Sequence, residues 1–326
     1  MATELEPLHL GTTPWNFRDL TAASLAGQAR RAEALGYQSF WLPENHFNEQ
    51  ALPDPLMLLA SCAAVTDRLR LGTTSYLLTL RNPIQAAEQV AVLDQLSGGR
   101  VTLGVGRGFA PAMLAAYGVE SKEKRRIFER CLKAMQAAWQ GQPLAEALPE
   151  DHLEMEQRAS LESVILHPQP VQRPHPPVWV AAFGPKALAQ AGRLGLPYLA
   201  SPMETLAQLV SNWNRHREAG AEAGVPAPDV VPVMRSVLIA DDEQLLRRVR
   251  EGLAGTMRGP AGVEAGPVDE WALIGTVAQV RDRLLEYQQE LGLTHLIATR
   301  LRLEGIPADA IADSMVALRE LVPEQR

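Results

Sequence analysis

Short apolar runs alternate with helix-length segments almost from one end of the chain to the other. No other feature restricts the fold as much, because strands separated by helices pair in parallel through crossover connections. Strands are predicted over Leu8–Thr12, Ser39–Pro43, Leu69–Ser75, Val101–Val105, Val178–Ala182, Tyr198–Ala200, Val231–Ala240 and Thr294–Thr299. Helices are predicted over Thr21–Leu35, Pro55–Thr66, Pro83–Leu96, Lys122–Trp139, Lys186–Leu194, Thr205–Ala219, Glu243–Leu253, Val277–Leu291 and Ala308–Leu321. Gly36 suits a left-handed helix terminator, and Pro83 suits a first helical turn. Ser97-Gly98-Gly99-Arg100 makes the turn into the fourth strand.

The alternation breaks over about 140–177, where prolines and acidic residues follow no period. This stretch reads as an insertion between strands four and five, with room for a small hairpin. A Gly-rich stretch at about 255–270 reads as a mobile loop or lid. Eight strand–helix units in 326 residues fit a single (β/α)8 TIM barrel spanning 1–326, a fold that typically needs about 250 residues. A doubly wound open sheet would place a glycine fingerprint in the first strand-to-helix turn. Thr12-Thr13-Pro14-Trp15 stands there instead.

Composition narrows the function class. A net charge of −7 provides no basic stripe for nucleic acid. Cys62 and Cys131 lie among Ala and Leu with no ligand-spaced partner, so both read as packing residues and no metal site is expected. So few cysteines fit a reducing compartment. Met1–Leu10 lacks the basic start and apolar run of a secretory signal. No apolar stretch reaches the roughly 20 residues of a membrane span. The expected location is cytoplasmic, away from membranes.

Barrel enzymes build their sites on loops at the C-terminal ends of the strands. The second strand ends in Pro43-Glu44-Asn45-His46-Phe47. A carboxylate, an amide and an imidazole there either orient and protonate a substrate or leave His46 as a structural histidine. The third strand ends in Gly72-Thr73-Thr74-Ser75-Tyr76: either a small-residue surface for a flat ring, or simply good strand formers. The fourth ends in Gly104-Val105-Gly106-Arg107-Gly108-Phe109, without dinucleotide spacing. Arg107 suits either a bidentate phosphate contact or a salt bridge at the mouth. The fifth leads through Phe183-Gly184-Pro185-Lys186 into a helix whose free N–H groups favour an anion. In a barrel these last two mouths are neighbours, so Arg107 and Gly184–Lys186 pair as a phosphate pocket.

These strand ends resemble the luciferase-like monooxygenase family, which includes bacterial luciferase (alkanal monooxygenase). The matching text is Phe40-Trp41-Leu42-Pro43-Glu44-Asn45-His46-Phe47, Arg70-Leu71-Gly72-Thr73, Arg81-Asn82-Pro83, Ala87-Glu88, Leu93-Asp94-Gln95-Leu96-Ser97-Gly98-Gly99-Arg100 and Leu103-Gly104-Val105-Gly106-Arg107-Gly108. Tyr117-Gly118-Val119 and Ile274-Gly275-Thr276-Val277-Ala278-Gln279-Val280 continue it. The resemblance implies a two-component FMN-dependent monooxygenase. Reduced FMN would come from a separate flavin reductase and react with O2 on a small, largely apolar organic substrate, in a homodimer. It places the FMN phosphate on Arg107 and Gly184–Lys186, with Phe183 in the same turn. It sets Thr74 and Ser75 behind the isoalloxazine, near a peptide often cis in this family, and Ser201 beyond the ring's far side. Many members read Glu-His-His-Phe at the second strand. Asn45 stands at the first of those histidines, so the proton role passes to His46, to a water, or is missing. Gly106 stands where luciferase has a reactive thiol, which argues against light emission. Two other readings remain: a deazaflavin-dependent hydride-transferring oxidoreductase of the same superfamily, and a non-catalytic flavin-binding protein.

Overall fold

The computed structural model describes residues 4–149, 154–256, 266–301 and 303–323. Most of the Gly-rich stretch expected at 255–270 lies outside them. The described strands, in chain order, are β1 (His9–Thr12), β2 (Ser39–Leu42), β3 (Arg70–Thr73), β4 (Tyr76–Leu77), β5 (Val101–Gly106), β6 (Val178–Ala181), β7 (Tyr198–Leu199), β8 (Pro232–Ile239), β9 (Leu273–Gly275) and β10 (His295–Thr299). Every strand predicted from sequence is present within a few residues. β4 and β9 are additional. The chain packs as two compact units: Met1–Arg18, Gln28–Trp41 and Val180–Arg326 form one, and Asp19–Gly27 with Leu42–Trp179 the other.

In the first unit β1 pairs in parallel with β10, β10 with β8, and β8 with β9. Residues of β2 pair with β1, and β6 pairs with β7, also in parallel. β8 and β9 are almost wholly buried, as expected where helices cover a parallel sheet. Trp213 and Trp271, both on helices, are buried completely, each contributing roughly 3 kcal/mol of apolar burial. The helix Leu206–Glu222 opens on a reciprocal cap between Thr205 and Gln208.

In the second unit β3 and β4 both pair in parallel with β5. The helix Pro83–Ser97 starts on Asn82, whose side-chain oxygen accepts the amides of Ile84 and Gln85, and ends on Gly98 at φ 66°. The Leu93–Arg100 motif that carries so much of the family resemblance is scaffold. Asp94 is fully buried and accepts the backbone and side-chain N–H groups of Gln172 at 2.9 and 2.7 Å. Arg100 donates to the carbonyls of Ala63, Thr66, Leu69 and Ser97, tying the strand-start turn together. The motif thus fixes the N-terminal end of β5, opposite the end that carries Arg107.

Two expectations need correction. The described residues of 140–177 hold two short helices, Leu144–Ala147 and Met155–Ser160, rather than a hairpin. The third strand stops at Thr73 instead of running to Ser75, because the Thr74 amide turns to the Leu42 carbonyl at 2.8 Å and pairing with β5 resumes only at Tyr76 in β4; the Thr74–Ser75 peptide between them is cis.

Candidate active site

Glu44 follows the end of β2, and its side chain is fully buried. A buried carboxylate needs hydrogen-bond donors around it, and this one has three. Oε1 accepts Nη1 of Arg81 at 2.9 Å and lies 2.9 Å from Nε2 of His46. Oε2 accepts the amide of Leu77 in β4 at 2.9 Å. The Arg81 guanidinium also lies 3.8 Å from the centre of the Tyr76 ring. Burial, opposed by Arg81, pushes the Tyr76 phenol above its usual range. His46 is thereby fixed at one nitrogen. Its other nitrogen, Nδ1, lies 3.2 Å from the Tyr117 hydroxyl. Tyr117 ends the helix Pro111–Ala116, in the segment that leaves β5. Phe47, at φ 63°, places its ring 6.2 Å from that of Tyr117.

Asn45 is engaged elsewhere. Its side-chain oxygen accepts the Leu52 amide at 3.0 Å, and its backbone bridges to Leu52 as well. The amide closes a loop and leaves Asn45 Oδ1 already hydrogen-bonded.

Thr74, Ser75, Gly106 and Arg107 come together in the same unit. Leu77 pairs with Gly106, and a Cβ on Gly106 would sit 2.1 Å from Ser75 Oγ. The glycine leaves room for the Ser75 hydroxyl, and a larger residue there would have to displace it. Thr79 donates to the carbonyl of Arg107 at 2.7 Å. The Arg107 guanidinium lies 4.9 Å from the Phe128 ring. Burial and the neighbouring Arg125 lower its pKa to about 10, with Glu129 opposing. A cation under that double penalty gains from any anion placed beside it.

The remaining expected residues lie in the other unit. Phe183 is half exposed, and Gly184, at φ 76°, precedes the helix Pro185–Arg193. No side chain caps that helix, and Lys186 is exposed in its first turn. Ser201 is buried just after β7. Its amide donates to Glu204 Oε1 at 2.8 Å, while Glu204 Oε2 receives the Tyr198 hydroxyl and the Asn212 amide. Arg235, wholly buried on β8, donates to the Glu204 carbonyl at 2.7 Å and to the Tyr287 hydroxyl at 2.8 Å.

Arg81, Tyr117 and Glu204 were not singled out by sequence reasoning. Arg81 and Tyr117 stood inside matching motifs, which was the available signal. Nothing marked Glu204. A groove of about 790 Å³ is lined by Leu206, Val210 and Asn214 of the helix Leu206–Glu222 and by Arg283, Glu286 and Glu290 of the helix Val277–Leu291. A cavity of about 40 Å³ lined by Thr12, Thr13, Trp15, Thr299 and Arg300 lies at the C-terminal ends of β1 and β10. It has room for water rather than for an organic substrate. Among the described residues no group of three His, Cys, Asp or Glu is placed to hold a metal, and no helix is long and apolar enough to cross a membrane.

Comparison with known proteins adds the lineage. The chain is 27% identical over 300 residues to the protein y4wF of Sinorhizobium fredii, covering 86% of this chain and 85% of that one. It is 28% identical over 225 residues to the oxygenase component of the flavin-dependent trigonelline monooxygenase of Acinetobacter baylyi, covering 65% of this chain but only 58% of the relative. Three solved structures share the fold. The monooxygenase RslO1 of Streptomyces bottropensis superposes with a TM-score of 0.76 at 24% identity, over 97% of this chain and 98% of that one. The oxygenating constituent of 3,6-diketocamphane monooxygenase of Pseudomonas putida, in complex with FMN, gives 0.77 at 19% over the same shares. The coenzyme F420-dependent tetrahydromethanopterin reductase of Methanopyrus kandleri gives 0.71 at 18%, over 98% and 99%. The parallel-strand α/β fold is that of these luciferase-like barrels. The family model for luciferase-like monooxygenases matches residues 7–295, and the chain belongs to that family.

Proposed function

We propose that this protein is the oxygenase component of a two-component flavin-dependent monooxygenase, using reduced FMN from a separate reductase, and O2, to oxygenate a small, largely apolar organic substrate. One observation carries the reading: the shelf at the ends of β2, β4 and β5. There Glu44 binds the Leu77 amide, Ser75 packs on the bare face of Gly106, and Arg107 follows directly. The residues fit FMN. Thr74 and Ser75, the latter seated over Gly106, offer a surface of small side chains to a ring, and the penalised Arg107 cation suits a phosphate.

On this reading Thr74 and Ser75 back the isoalloxazine and Arg107 takes the phosphate. The uncapped start of the helix Pro185–Arg193, with Phe183, Gly184 and Lys186, offers a second set of anion donors, and Ser201 a further contact. When bound, reduced FMN supplies the chemistry that activates oxygen. The chain's own residues bind and orient the reactants, exclude water, and hold a proton at His46. Asn45, tied to Leu52, takes no part in proton transfer. The whole barrel acts as one domain, in a cytoplasmic homodimer. Both cysteines are buried, with thiols pushed up to about 12 by that burial, which supports a reducing setting.

A deazaflavin-dependent hydride transfer is the second reading, favoured by the fold shared with the F420-dependent reductase. Fluorescence titration with oxidised FMN and with F420 separates the two. FMN is expected to bind more tightly, and Arg107→Ala to weaken it about tenfold or more. Preference for F420 would overturn the cofactor assignment. Unchanged FMN affinity in Arg107→Ala would overturn the phosphate assignment.

A further inference from the structure

We propose that Tyr117 is the proton-exchanging group of this site. It takes a proton from an O–H or N–H of the bound reactant while passing its own proton to His46. The proposal rests on the strand-end site described above being the reactive one.

The direction of each hydrogen bond follows from what Glu44 can accept. Arg81 and the Leu77 amide are donors only, so Glu44 meets them as a carboxylate, and the hydrogen between Glu44 and His46 belongs to Nε2. A neutral imidazole then carries its lone pair at Nδ1. The Tyr117 hydroxyl, 3.2 Å away, donates to it. The resting arrangement is therefore ready to accept a proton.

Exposure decides which of the two groups meets the reactant. The His46 side chain is 4% exposed, with both nitrogens occupied. Tyr117 is 45% exposed. Imidazole chemistry reaches outward only through the phenol. Phe47 walls one side of that phenol from a left-handed backbone conformation, which is unfavourable for a side-chain-bearing residue. Asn or Gly would adopt it at lower cost, and an exposed phenylalanine there calls for a contact outside the loop.

The proton balance is simple. The reactant's X–H bond breaks and its proton moves to the Tyr117 oxygen. The phenolic proton moves to His46 Nδ1. The reactant is left as an anion, Tyr117 is again neutral, and His46 becomes an imidazolium held against the Glu44 carboxylate. The reverse passage returns the proton to product. The charged and titratable groups around this chain are Glu44, which favours the imidazolium, and Arg81, which shares that carboxylate and tempers its pull. Tyr76 faces the Arg81 guanidinium.

The test begins without flavin. In the full chain labelled with 15N-histidine, His46 is expected in the Nε2–H tautomer at neutral pH. Tyr117→Phe should shift the 15N resonance of His46 Nδ1, since its hydrogen-bond partner is lost, while His175 is unmoved. A second arm uses reduced FMN and O2 alone, following hydrogen peroxide release against pH. This reaction moves two electrons and two protons from the flavin to oxygen. The natural protein should show an inflection at the pKa of His46 measured by NMR. Tyr117→Phe should lose that inflection and slow release about tenfold or more, with FMN affinity unchanged. An Nδ1–H tautomer, or a Tyr117→Phe protein that keeps both the Nδ1 resonance and the pH profile, overturns the proposal. If no variant binds FMN, the functional reading fails, while the tautomer and the Nδ1 resonance still judge the relay.

Discussion

Two strand-end turns are each built around a glutamate, one after β2 and one after β7, and they do different work. Glu44 gathers a cation, a backbone amide and an imidazole. Glu204 gathers a backbone amide, a carboxamide and the Tyr198 phenol. Burial, followed by the Glu204 charge, holds that phenol well above its usual range, so it stays protonated at neutral pH. The Glu204 turn is closed on itself by hydrogen bonds, and it positions Ser201. The Glu44 turn is as well satisfied, but it includes an imidazole and ends on an exposed phenol. A buried acid thus becomes part of a reactive site through what its partners can release and who can reach them.

The comparison breaks most visibly at the carboxylates. Glu44→Ala leaves Arg81 partly buried against Tyr76 without its counter-charge, a loss of about 3 kcal/mol or more. Glu204→Ala strands neutral donors only, and about 2 kcal/mol is expected. Urea unfolding of the two variants measures the difference. Equal losses would mean that the charge of Arg81 contributes nothing. In 15N-histidine spectra Glu44→Gln should also move the His46 resonances, and Glu204→Ala should leave them in place.

A smaller effect separates Asn45 from the chemistry. Asn45→His restores the family's commoner pattern but removes the acceptor for the Leu52 amide. About 1 kcal/mol of stability should be lost, with peroxide release unchanged. Faster release would return the proton role to that position.

The smallest effect concerns pH and the helix that carries Asn212. His216 on the same helix donates from Nε2 to the Leu196 carbonyl at 2.8 Å, and its Nδ1 has no hydrogen-bond partner among the described residues. Burial, aided by Arg217, lowers its pKa below the ordinary 6.5. The folded state then binds fewer protons than the unfolded state in that window. The contribution is whole above pH 6.5 and declines as pH falls from there through the folded-state value. His216→Gln should flatten the fall in Tm between pH 7 and 5. An unchanged slope would assign the acid sensitivity to other groups.

Much of the scaffold was legible because its signals are local. Pro83 and the Ser97–Arg100 turn bracket one helix, Thr205 opens another, and most of the apolar runs that pair in parallel stand out between helices. β4 and β9 were missed because each is short and lies close to another element, β4 just after β3 and β9 between two helices. The helix Pro111–Ala116 is short for the same kind of reading. At the site, Glu44, His46 and Arg107 were visible as residue types at strand ends. Their connections were not. Arg81 lies 37 positions from Glu44, and Tyr117 lies 71 from His46. Pairings at such separations follow from how strands are placed side by side, which no local pattern records. Asn45 shows the converse: its place in a family motif marked it for chemistry, while its hydrogen bonds belong to the loop.

The most direct test of the flavin site is a crystal structure of the protein with FMN. The phosphate is expected within hydrogen-bonding distance of Arg107, with the ring against Thr74 and Ser75 and the Tyr117 hydroxyl open to the space beside it. A ring bound away from the 74–75 segment, or a phosphate with no contact to Arg107, would contradict the assignment.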